Sequence, residues 1–251
     1  MFSLSGRRAL VTGGSRGIGL ATSRLLARSG AAVGIGYRSR SAEAEALVSE
    51  LRAAGADAHA FAHDIGTAAG ADALVADTVK ALGGLDILVH NAGIWPSADE
   101  GVDVMSDARW RETMTANTDA MFFISRAAAR VLSPGGRLIH VASTAGQRGE
   151  AFHSDYAASK GAMISYVKSL AVELAPRDIT VNAVAPGWVD TEMCAEAFAN
   201  GGRERIGKTI PIGRVASPED IAGPILFLAT SLARHVTGEI LNVNGGSVLC
   251  G

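Results

Sequence analysis

The sequence has few cysteines and lacks a long apolar run. Its two cysteines, Cys194 and Cys250, stand far apart and form no CxxC pair, which argues against a zinc site and against a disulfide framework. No apolar run is long enough to span a bilayer, and the first residues show no long apolar segment followed by a cleavage site. These absences predict a cytoplasmic protein without a metal centre.

The sequence also lacks an excess of charge of either sign. It carries 23 basic and 25 acidic residues, a formal net charge of −2. The charges are interspersed, which argues against a general nucleic-acid binder. No stretch rich in proline, serine or charge divides the chain, so we expect residues 1–251 to form one domain.

Predicted strands and helices alternate along the chain. The predicted strands cover residues 9–11, 31–37, 58–63, 85–90, 137–142, 180–185 and 239–243. The predicted helices cover residues 18–28, 42–54, 68–82, 107–132 and 218–230, together with a helix that contains Tyr156 and ends near Ala175. Such alternation is typical of right-handed βαβ units. It predicts an α/β fold, a Rossmann-like doubly wound sheet of seven parallel strands with helices on both faces.

A glycine-rich segment lies between the first predicted strand and the first predicted helix. It reads Thr12-Gly13-Gly14-Ser15-Arg16-Gly17-Ile18-Gly19. Glycines here permit a tight turn, close approach of the backbone to a phosphate, and close packing of the helix on the strand. The amino end of the helix adds free N–H groups and a partial positive charge. The segment therefore predicts a pyrophosphate site, although its Gly-x-x-x-Gly-x-Gly spacing differs from the commoner G-x-G-x-x-G.

Tyr156, Lys160 and Ser143 form a candidate proton-transfer group. Tyr156 and Lys160 are four residues apart, so on a helix they share a face. The ammonium would favour the phenolate and lower the pKa of Tyr156 toward neutral pH. Ser143 follows the apolar run of residues 138–142, which predicts a strand. A hydroxyl at the carboxyl end of a strand is well placed to bind a substrate oxygen.

Together these motifs resemble the single-domain branch of the short-chain dehydrogenase/reductase family, and the overall pattern is similar to bacterial 3-oxoacyl-acyl-carrier-protein reductases. The resemblance runs from the first strand to residues 242–246. Further matching motifs are Asn91-Ala92-Gly93, Asn117 as the fourth member of a catalytic tetrad, and Pro186-Gly187. One departure is His90, where many members carry a second asparagine.

The resemblance implies a role for each member of the tetrad. Tyr156 would deliver a proton to a carbonyl oxygen as a hydride reaches the carbon. Lys160 would lower the pKa of Tyr156 and hold the hydroxyls of the nicotinamide ribose. Ser143 would hydrogen-bond the developing alkoxide. Asn117 would hold a water that links Lys160 to solvent; the alternative for Asn117 is a helix-interior amide bonded to the backbone.

The second predicted strand is followed by Arg38-Ser39-Arg40-Ser41, without a carboxylate. NAD-selective folds commonly place an acidic residue here, whereas arginine accommodates a 2′-phosphate. Arg38, together with Arg16 in the glycine loop, therefore favours NADP(H); the alternative is that both are solvated loop charges. The resemblance implies a full set of cofactor residues. They are Gly13, Ser15, Arg16, Gly17, Ile18, Gly19, Arg38, Ser39, Asp64, Ile65, Asn91, Ala92, Gly93, Tyr156, Lys160, Pro186, Gly187, Val189 and Thr191.

The segment of residues 187–211 corresponds to the family's substrate lid. Its apolar and aromatic residues, with two from other segments, suggest a largely apolar pocket. They are Trp188, Met193, Cys194, Phe198, Trp95 and Phe152. The predicted substrate-binding residues are Ser143, Trp95, Phe152, Trp188 and Met193. His153 is expected on the loop surface, and the expected substrate is a small or medium, uncharged, partly apolar ketone or its secondary alcohol.

Three other functions stay open on the sequence. One is a 3-oxoacyl-acyl-carrier-protein reductase, with Arg130 near the mouth of the site, although Val172 stands where such reductases often carry arginine. The second is a sugar or polyol dehydrogenase. The third is a cofactor-sensing protein without catalysis, and the complete tetrad argues against it.

The resemblance also predicts a homotetramer with two-fold interfaces. Family members pair the helix that follows Tyr156, and the last helix, with those of symmetry mates. Both predicted helices carry apolar rows, part of which must pack on their own sheet. The rows are Met163, Val167, Leu170 and Leu174 on the first of these helices, and Ile221, Ile225 and Leu228 on the last.

Overall fold

Seven parallel strands form one sheet in the computed structural model, which describes residues 2–249. The strands are β1 (Arg8–Thr12), β2 (Ala32–Tyr37), β3 (Ala58–Ala62), β4 (Leu85–His90), β5 (Leu132–Val141), β6 (Thr180–Pro186) and β7 (Ile240–Val243). The helices are α1 (Gly17–Arg28), α2 (Ser41–Ala53), α3 (Ala68–Leu82), α4 (Asp107–Met114), α5 (Ala120–Val131), α6 (Thr144–Arg148), α7 (Ser154–Leu174), α8 (Ala195–Phe198), α9 (Gly202–Thr209) and α10 (Pro218–Ala229).

The strand order is β3-β2-β1-β4-β5-β6-β7, and every neighbouring pair is parallel. The chain builds outward from β1 to β3, returns to the other side of β1 with β4, and continues to β7. In a doubly wound sheet this reversal leaves a crevice at the carboxyl ends of the two central strands. The predicted α/β fold with seven parallel strands is confirmed.

Alternate residues of the central strands pack on opposite faces of the sheet. Val11 of β1 belongs to a buried cluster that includes α1 and α10, whereas the preceding Leu10 belongs to a second cluster that includes α3, α5 and α7. All six residues of β4 are buried. A strand covered by helices on both faces needs apolar residues at nearly every position, which explains the short continuous apolar runs in the sequence.

The predicted helix over residues 107–132 is two helices joined by a π-helical turn, Thr115–Asp119. This wider turn contains Asn117, which is fully buried. The Asn117 side-chain oxygen accepts the Ile94 N–H at 2.8 Å, and its nitrogen donates to the Ile94 carbonyl at 3.0 Å. Single π turns inside α-helices are common at functional sites. This turn gives the loop after β4 a fixed partner on the α4–α5 helix pair.

The apolar rows expected to pair between subunits are buried within the chain itself. Met163 is 0% exposed and Leu170 8%, and Ile221 and Ile225 are both 0% exposed. These rows pack on their own sheet because α7 and α10 each cover one of its faces. The rows therefore pack within the chain and leave no exposed apolar row for association on α7 or α10, while the homotetramer itself stays a prediction.

Two expectations from the sequence concern the membrane and the cysteines. None of the helices within residues 2–249 combines the length and the hydropathy that a bilayer span requires. Cys194 forms no disulfide among the described residues, and Cys250 lies outside them.

Candidate active site

A cavity of about 620 Å³ opens at the carboxyl ends of the strands. It extends from the glycine loop after β1 to Ser143 and Tyr156, past the segments that follow β2, β3, β4 and β6. All the predicted cofactor residues except Gly19 line this cavity. The fold therefore gathers residues that are far apart in the sequence around one crevice.

Gly19 does not line the cavity but allows α1 to pack closely against the glycine loop. A Cβ atom built on Gly19 would lie 2.0 Å from the Gly13 carbonyl oxygen and 2.7 Å from the Asn91 side-chain nitrogen. Only a hydrogen fits there, so α1 can start directly against the loop. Gly13 and Gly17 have φ angles of +60° and +47°, a conformation that residues with a side chain adopt at a cost.

The loop after β1 and the loop after β4 are tied together by Thr12 and Asn91. The Thr12 hydroxyl accepts the N–H groups of Asn91 and Ala92, both at 3.1 Å. The Asn91 side-chain nitrogen donates to the carbonyls of Thr12 and Gly13 at 3.3 and 3.1 Å. His90 completes the junction, since its Nδ1 lies 3.1 Å from the Thr12 hydroxyl oxygen. The departure from a second asparagine at position 90 thus keeps a polar partner for the loop.

The amino end of α1 is open toward the cavity. Its N-cap residue, Arg16, makes no capping hydrogen bond with its side chain, and the first turn contains no acidic residue among the described positions. Because the first N–H groups of a helix have no partner within the helix, they can bind the oxygens of a pyrophosphate. This geometry fits the dinucleotide site that the glycine pattern predicts.

Basic side chains surround the end of β2 at the far side of the cavity. Arg38 and Arg40 both line it and are exposed, and Arg16 faces them from the glycine loop. Arg16 also forms an ion pair with Glu192 at 3.0 Å, which connects the glycine loop to the segment after β6. A dianionic phosphate entering here would meet guanidinium groups that can bind it through paired hydrogen bonds.

Ser143, Tyr156 and Lys160 meet at the inner end of the cavity. Lys160 is buried, donates to the Val141 carbonyl at 2.8 Å, and has its Nζ 5.7 Å from the centroid of the Tyr156 ring. Burial lowers the pKa of Lys160 to about 8. Burial also raises the pKa of Tyr156, and a hydrogen bond with Ser143 opposes this rise.

The prediction that Lys160 lowers the pKa of Tyr156 stays a prediction, because desolvation sets the direction of the shift here. The ammonium faces the ring and is hydrogen-bonded to Val141, while desolvation of the phenol outweighs the stabilising contact with Ser143. Burial therefore favours the neutral form of the Tyr156 phenol. That is the protonated form that a proton donor must have.

The hydrogen bonds of the Asn117 side chain go to protein groups and not toward the cavity. Besides the two bonds to Ile94, its nitrogen donates to the Ser159 hydroxyl at 3.0 Å, and that hydroxyl donates to the Tyr156 carbonyl at 2.7 Å. The alternative interpretation of Asn117, an amide bonded to the backbone, describes these contacts. Asn117 thus connects the loop after β4 to the helix that carries Tyr156.

The substrate end of the cavity is lined by Trp95, Trp188 and Met193, as expected, but two neighbouring expectations are wrong. Phe152 lies outside the cavity lining, has a φ angle of +65° and is 58% exposed. His153, expected on the surface, is only 4% exposed and stacks on Trp95 with ring centroids 4.7 Å apart. A left-handed residue reverses the chain just before α7, so the aromatic side chain turns outward and the imidazole turns inward.

Two charged features of this region escape the sequence patterns. Glu150, between α6 and α7, lines the cavity beside Tyr156. Asp155 is 0% exposed, accepts from Arg109 Nε at 3.1 Å and accepts from the Thr113 hydroxyl at 2.8 Å. Asp155 directly precedes Tyr156, and this position is a signal that could have identified it from the sequence. Nothing in the sequence indicates that Arg109 is its partner. Glu150 carries no local pattern at all.

Comparisons with known proteins find similar sequences and similar structures. Residues 13–247 match a family model described as enoyl-(acyl carrier protein) reductase. A 3-oxoacyl-[acyl-carrier-protein] reductase from Synechocystis sp. is 38% identical over 99% of this chain and 100% of its own length. The crystal structure of a dehydrogenase/reductase from Sinorhizobium meliloti 1021 is similar with a TM-score of 0.93 and 41% identity, covering 99% of this chain and 97% of the other. That of a short-chain dehydrogenase from Burkholderia cenocepacia J2315 in complex with NADP has a TM-score of 0.92 and 38% identity, covering 97% and 98%.

Proposed function

The chain belongs to the short-chain dehydrogenase/reductase family, and from this premise we propose that it interconverts a ketone and a secondary alcohol with NADP(H). The observation that carries the proposal is the meeting of Ser143, Tyr156 and Lys160 at the inner end of a cavity that begins at the open amino end of α1. Proton-transfer groups and a dinucleotide cradle thus share one enclosed space.

When bound, NADP(H) would supply the chemistry of hydride transfer, two electrons and a proton to the carbonyl carbon. Tyr156 donates its phenolic proton to the carbonyl oxygen, whose π-bond electrons become the new O–H bond. Ser143 donates a hydrogen bond to the same oxygen as negative charge develops there. Lys160, charged below a pKa of about 8, stabilises the phenolate that Tyr156 becomes until it is reprotonated. Alcohol oxidation runs through the same groups in reverse.

Different residues around the cavity would bind different parts of the cofactor. The N–H groups of α1 would hold the pyrophosphate, Asp64 and Ile65 the adenine, and Lys160 the nicotinamide ribose. Asn91-Ala92-Gly93, Pro186-Gly187, Val189 and Thr191 would enclose the nicotinamide. The open helix end and the cavity's extent support this assignment. Residues 187–211 would then close over the substrate within one domain, with the Arg16–Glu192 ion pair as one contact of that lid.

Replacing Arg38 by aspartate is expected to narrow or reverse a preference for NADPH over NADH. A lost charge-assisted phosphate contact costs about 1.5–3 kcal/mol, and the new carboxylate repels the 2′-phosphate while it can accept from a ribose hydroxyl. Fluorescence titration of wild type and variant with both cofactors measures the change. Arg234→Asp, the same charge change at an exposed arginine away from the cavity, is the matched control.

Tighter or equal binding of NADH by the wild type would contradict the proposed cofactor. So would an unchanged NADPH affinity in Arg38→Asp, because Arg38 would then be only a solvated loop charge.

A carrier-protein thioester is the second candidate substrate, favoured by the name of the Synechocystis relative. Against it stand Val172, an exposed apolar side chain (76%), and Arg130, whose guanidinium is paired with Asp72 at 3.4 Å. The tryptophan-lined end of the cavity favours a free ketone of small or medium size.

One kinetic panel with NADPH tests the function. It compares acetoacetyl carrier-protein thioester, a small acetoacetyl thioester, free ketones and sugars by kcat/KM. We expect the free ketones to be the most efficient substrates. A carrier-protein thioester turned over far more efficiently than every free ketone would establish the second candidate. Tight NADPH binding with no turnover of any compound would indicate a cofactor sensor.

We expect the protein to be a homotetramer, as the resemblance to the family implies. Exposed apolar residues outside the predicted rows can serve its interfaces: Phe122 and Trp110 are each 42% exposed and lie on α5 and α4. Light scattering at micromolar concentration should give four times the mass of the 25.7 kDa chain. A mass of one chain would contradict association.

A further inference from the structure

Glu150 is a carboxyl group in the wall of an otherwise aromatic substrate end. It lies on the loop between α6 and α7 and lines the cavity together with Trp95, Trp188 and Tyr156. Trp95 is held from two sides: His153 stacks on it with an interplanar angle of 12°, and Trp188 meets it edge-on with centroids 5.9 Å apart. The partly buried Glu150 side chain is thus next to an aromatic wall that is held in place.

The Glu150 carboxyl group is partly exposed and lies among charged and aromatic neighbours. Burial raises its pKa, while the nearby His153 and Arg148 and a hydrogen bond from Trp95 lower it, and Asp99 raises it further. A carboxylate has two oxygens and about four acceptor positions, so the Trp95 indole N–H satisfies only part of its capacity. A substrate that covers the other acceptor positions removes water from them, and the lost hydrogen bonds cost free energy unless the substrate replaces them.

A substrate that fills this end of the cavity therefore contacts the carboxyl group of Glu150. An alkyl group placed against Glu150 removes water and returns no hydrogen bond. A hydroxyl group donates to it and replaces the water that leaves. A carboxylate on the substrate would be repelled. Because Glu150 and the proton donor Tyr156 line the same end, the preferred hydroxyl is one beside the reacting carbonyl.

We infer that Glu150 is a specificity-determining residue that selects ketones with a hydroxyl on the carbon next to the carbonyl, and in the reverse direction vicinal diols. This inference rests on the proposed function, which it narrows from ketones in general to α-hydroxy ketones. It also adds a carboxyl group to the wall of a pocket that is expected to be largely apolar.

Three phenyl ketones of similar size test the inference: 2-hydroxyacetophenone, propiophenone and benzoylformate, which place a hydroxymethyl, an ethyl or a carboxylate group beside one carbonyl. Their kcat/KM values with NADPH are measured for wild type, Glu150→Gln and Glu150→Leu. The ratio of hydroxy to alkyl ketone is compared between enzymes, which cancels the intrinsic reactivity of each ketone. NADPH titration of each variant shows whether the cofactor half of the site is intact.

We expect the hydroxy-to-alkyl ratio to fall by about tenfold or more in Glu150→Leu, the effect of one hydrogen bond to a charged group. Turnover of benzoylformate should rise in both variants, because both remove the negative charge. Affinity for NADPH should stay within about twofold of the wild type, because Glu150 lies at the substrate end. Glu45→Leu, which removes an exposed carboxylate on α2, should leave the kcat/KM values for all three ketones unchanged.

An unchanged ratio in a Glu150→Leu protein that binds NADPH normally, or an unchanged turnover of benzoylformate in such a Glu150→Gln protein, would overturn the inference and leave the proposed function standing. A wild-type preference for propiophenone over 2-hydroxyacetophenone would do the same. Absence of turnover with any ketone, by contrast, would refute the proposed function itself. Glu150→Gln keeps the size and polarity of the side chain, so it remains informative if the leucine variant does not fold.

Discussion

Tyr156→Phe is expected to reduce kcat for ketone reduction by about 10²–10⁴-fold, the contribution of a positioned general acid. The substitution removes one oxygen and leaves the ring in place. Ser143 can still hydrogen-bond the carbonyl oxygen, but no group then supplies a proton as the hydride arrives. Burial favours the protonated phenol, which is the form that can donate in the reductive direction.

Stopped-flow or steady-state kinetics of the variant should be paired with an NADPH titration, which should change little because the ring keeps its packing. Tyr166→Phe is the matched control, since Tyr166 lies on the same helix, ten residues along, against the buried His140 ring. It should keep the wild-type rate. Near-wild-type turnover by Tyr156→Phe on a good substrate would show that another group donates the proton.

Arg109→Leu is expected to lower the free energy of unfolding by about 3–5 kcal/mol, the typical cost of removing one partner of a buried ion pair. The Arg109 side chain is 9% exposed and that of Asp155 0%. Burial pushes the pKa of Asp155 up, but hydrogen bonds from Arg109 and Thr113 hold it below its usual value. Without Arg109, Asp155 would stay buried with only Thr113 and a backbone N–H as donors.

The same variant should also lower turnover, because Arg109 holds the loops of the substrate end. It donates to the Ala98 carbonyl at 2.6 Å and to the Phe152 carbonyl at 3.3 Å. Urea unfolding measures the stability change, with Arg111→Leu as a control at an exposed arginine of the same helix. The double variant Arg109→Leu/Asp155→Leu should be more stable than Arg109→Leu alone, since it removes the unpaired charge.

A loss of stability in Arg109→Leu no larger than in Arg111→Leu would mean that the Arg109–Asp155 pair is solvated and dispensable. Additive effects in the double variant would lead to the same conclusion, because additivity is the behaviour of sites that do not interact.

The sequence by itself determined the layout of the protein. Short apolar runs separated by amphipathic stretches specify strands buried on both faces, and this pattern is local, so it predicts seven parallel strands without knowledge of their neighbours. Motifs with a fixed place in that layout follow with it. The glycine loop must lie where β1 meets α1, and Ser143 must follow a strand, so both reach the same crevice.

Only the tertiary structure decided how side chains around that crevice are oriented and charged. The positive φ at Phe152 turns one aromatic outward and brings His153 in. The pKa of Tyr156 depends on desolvation by the groups that enclose it, which outweighs the hydrogen bond with Ser143. Glu150 and the Arg109–Asp155 pair acquire their surroundings in the same way. Periodicity reports which face of an element is buried, whereas loop direction, ion pairing and desolvation arise from contacts between distant segments, which no local pattern encodes.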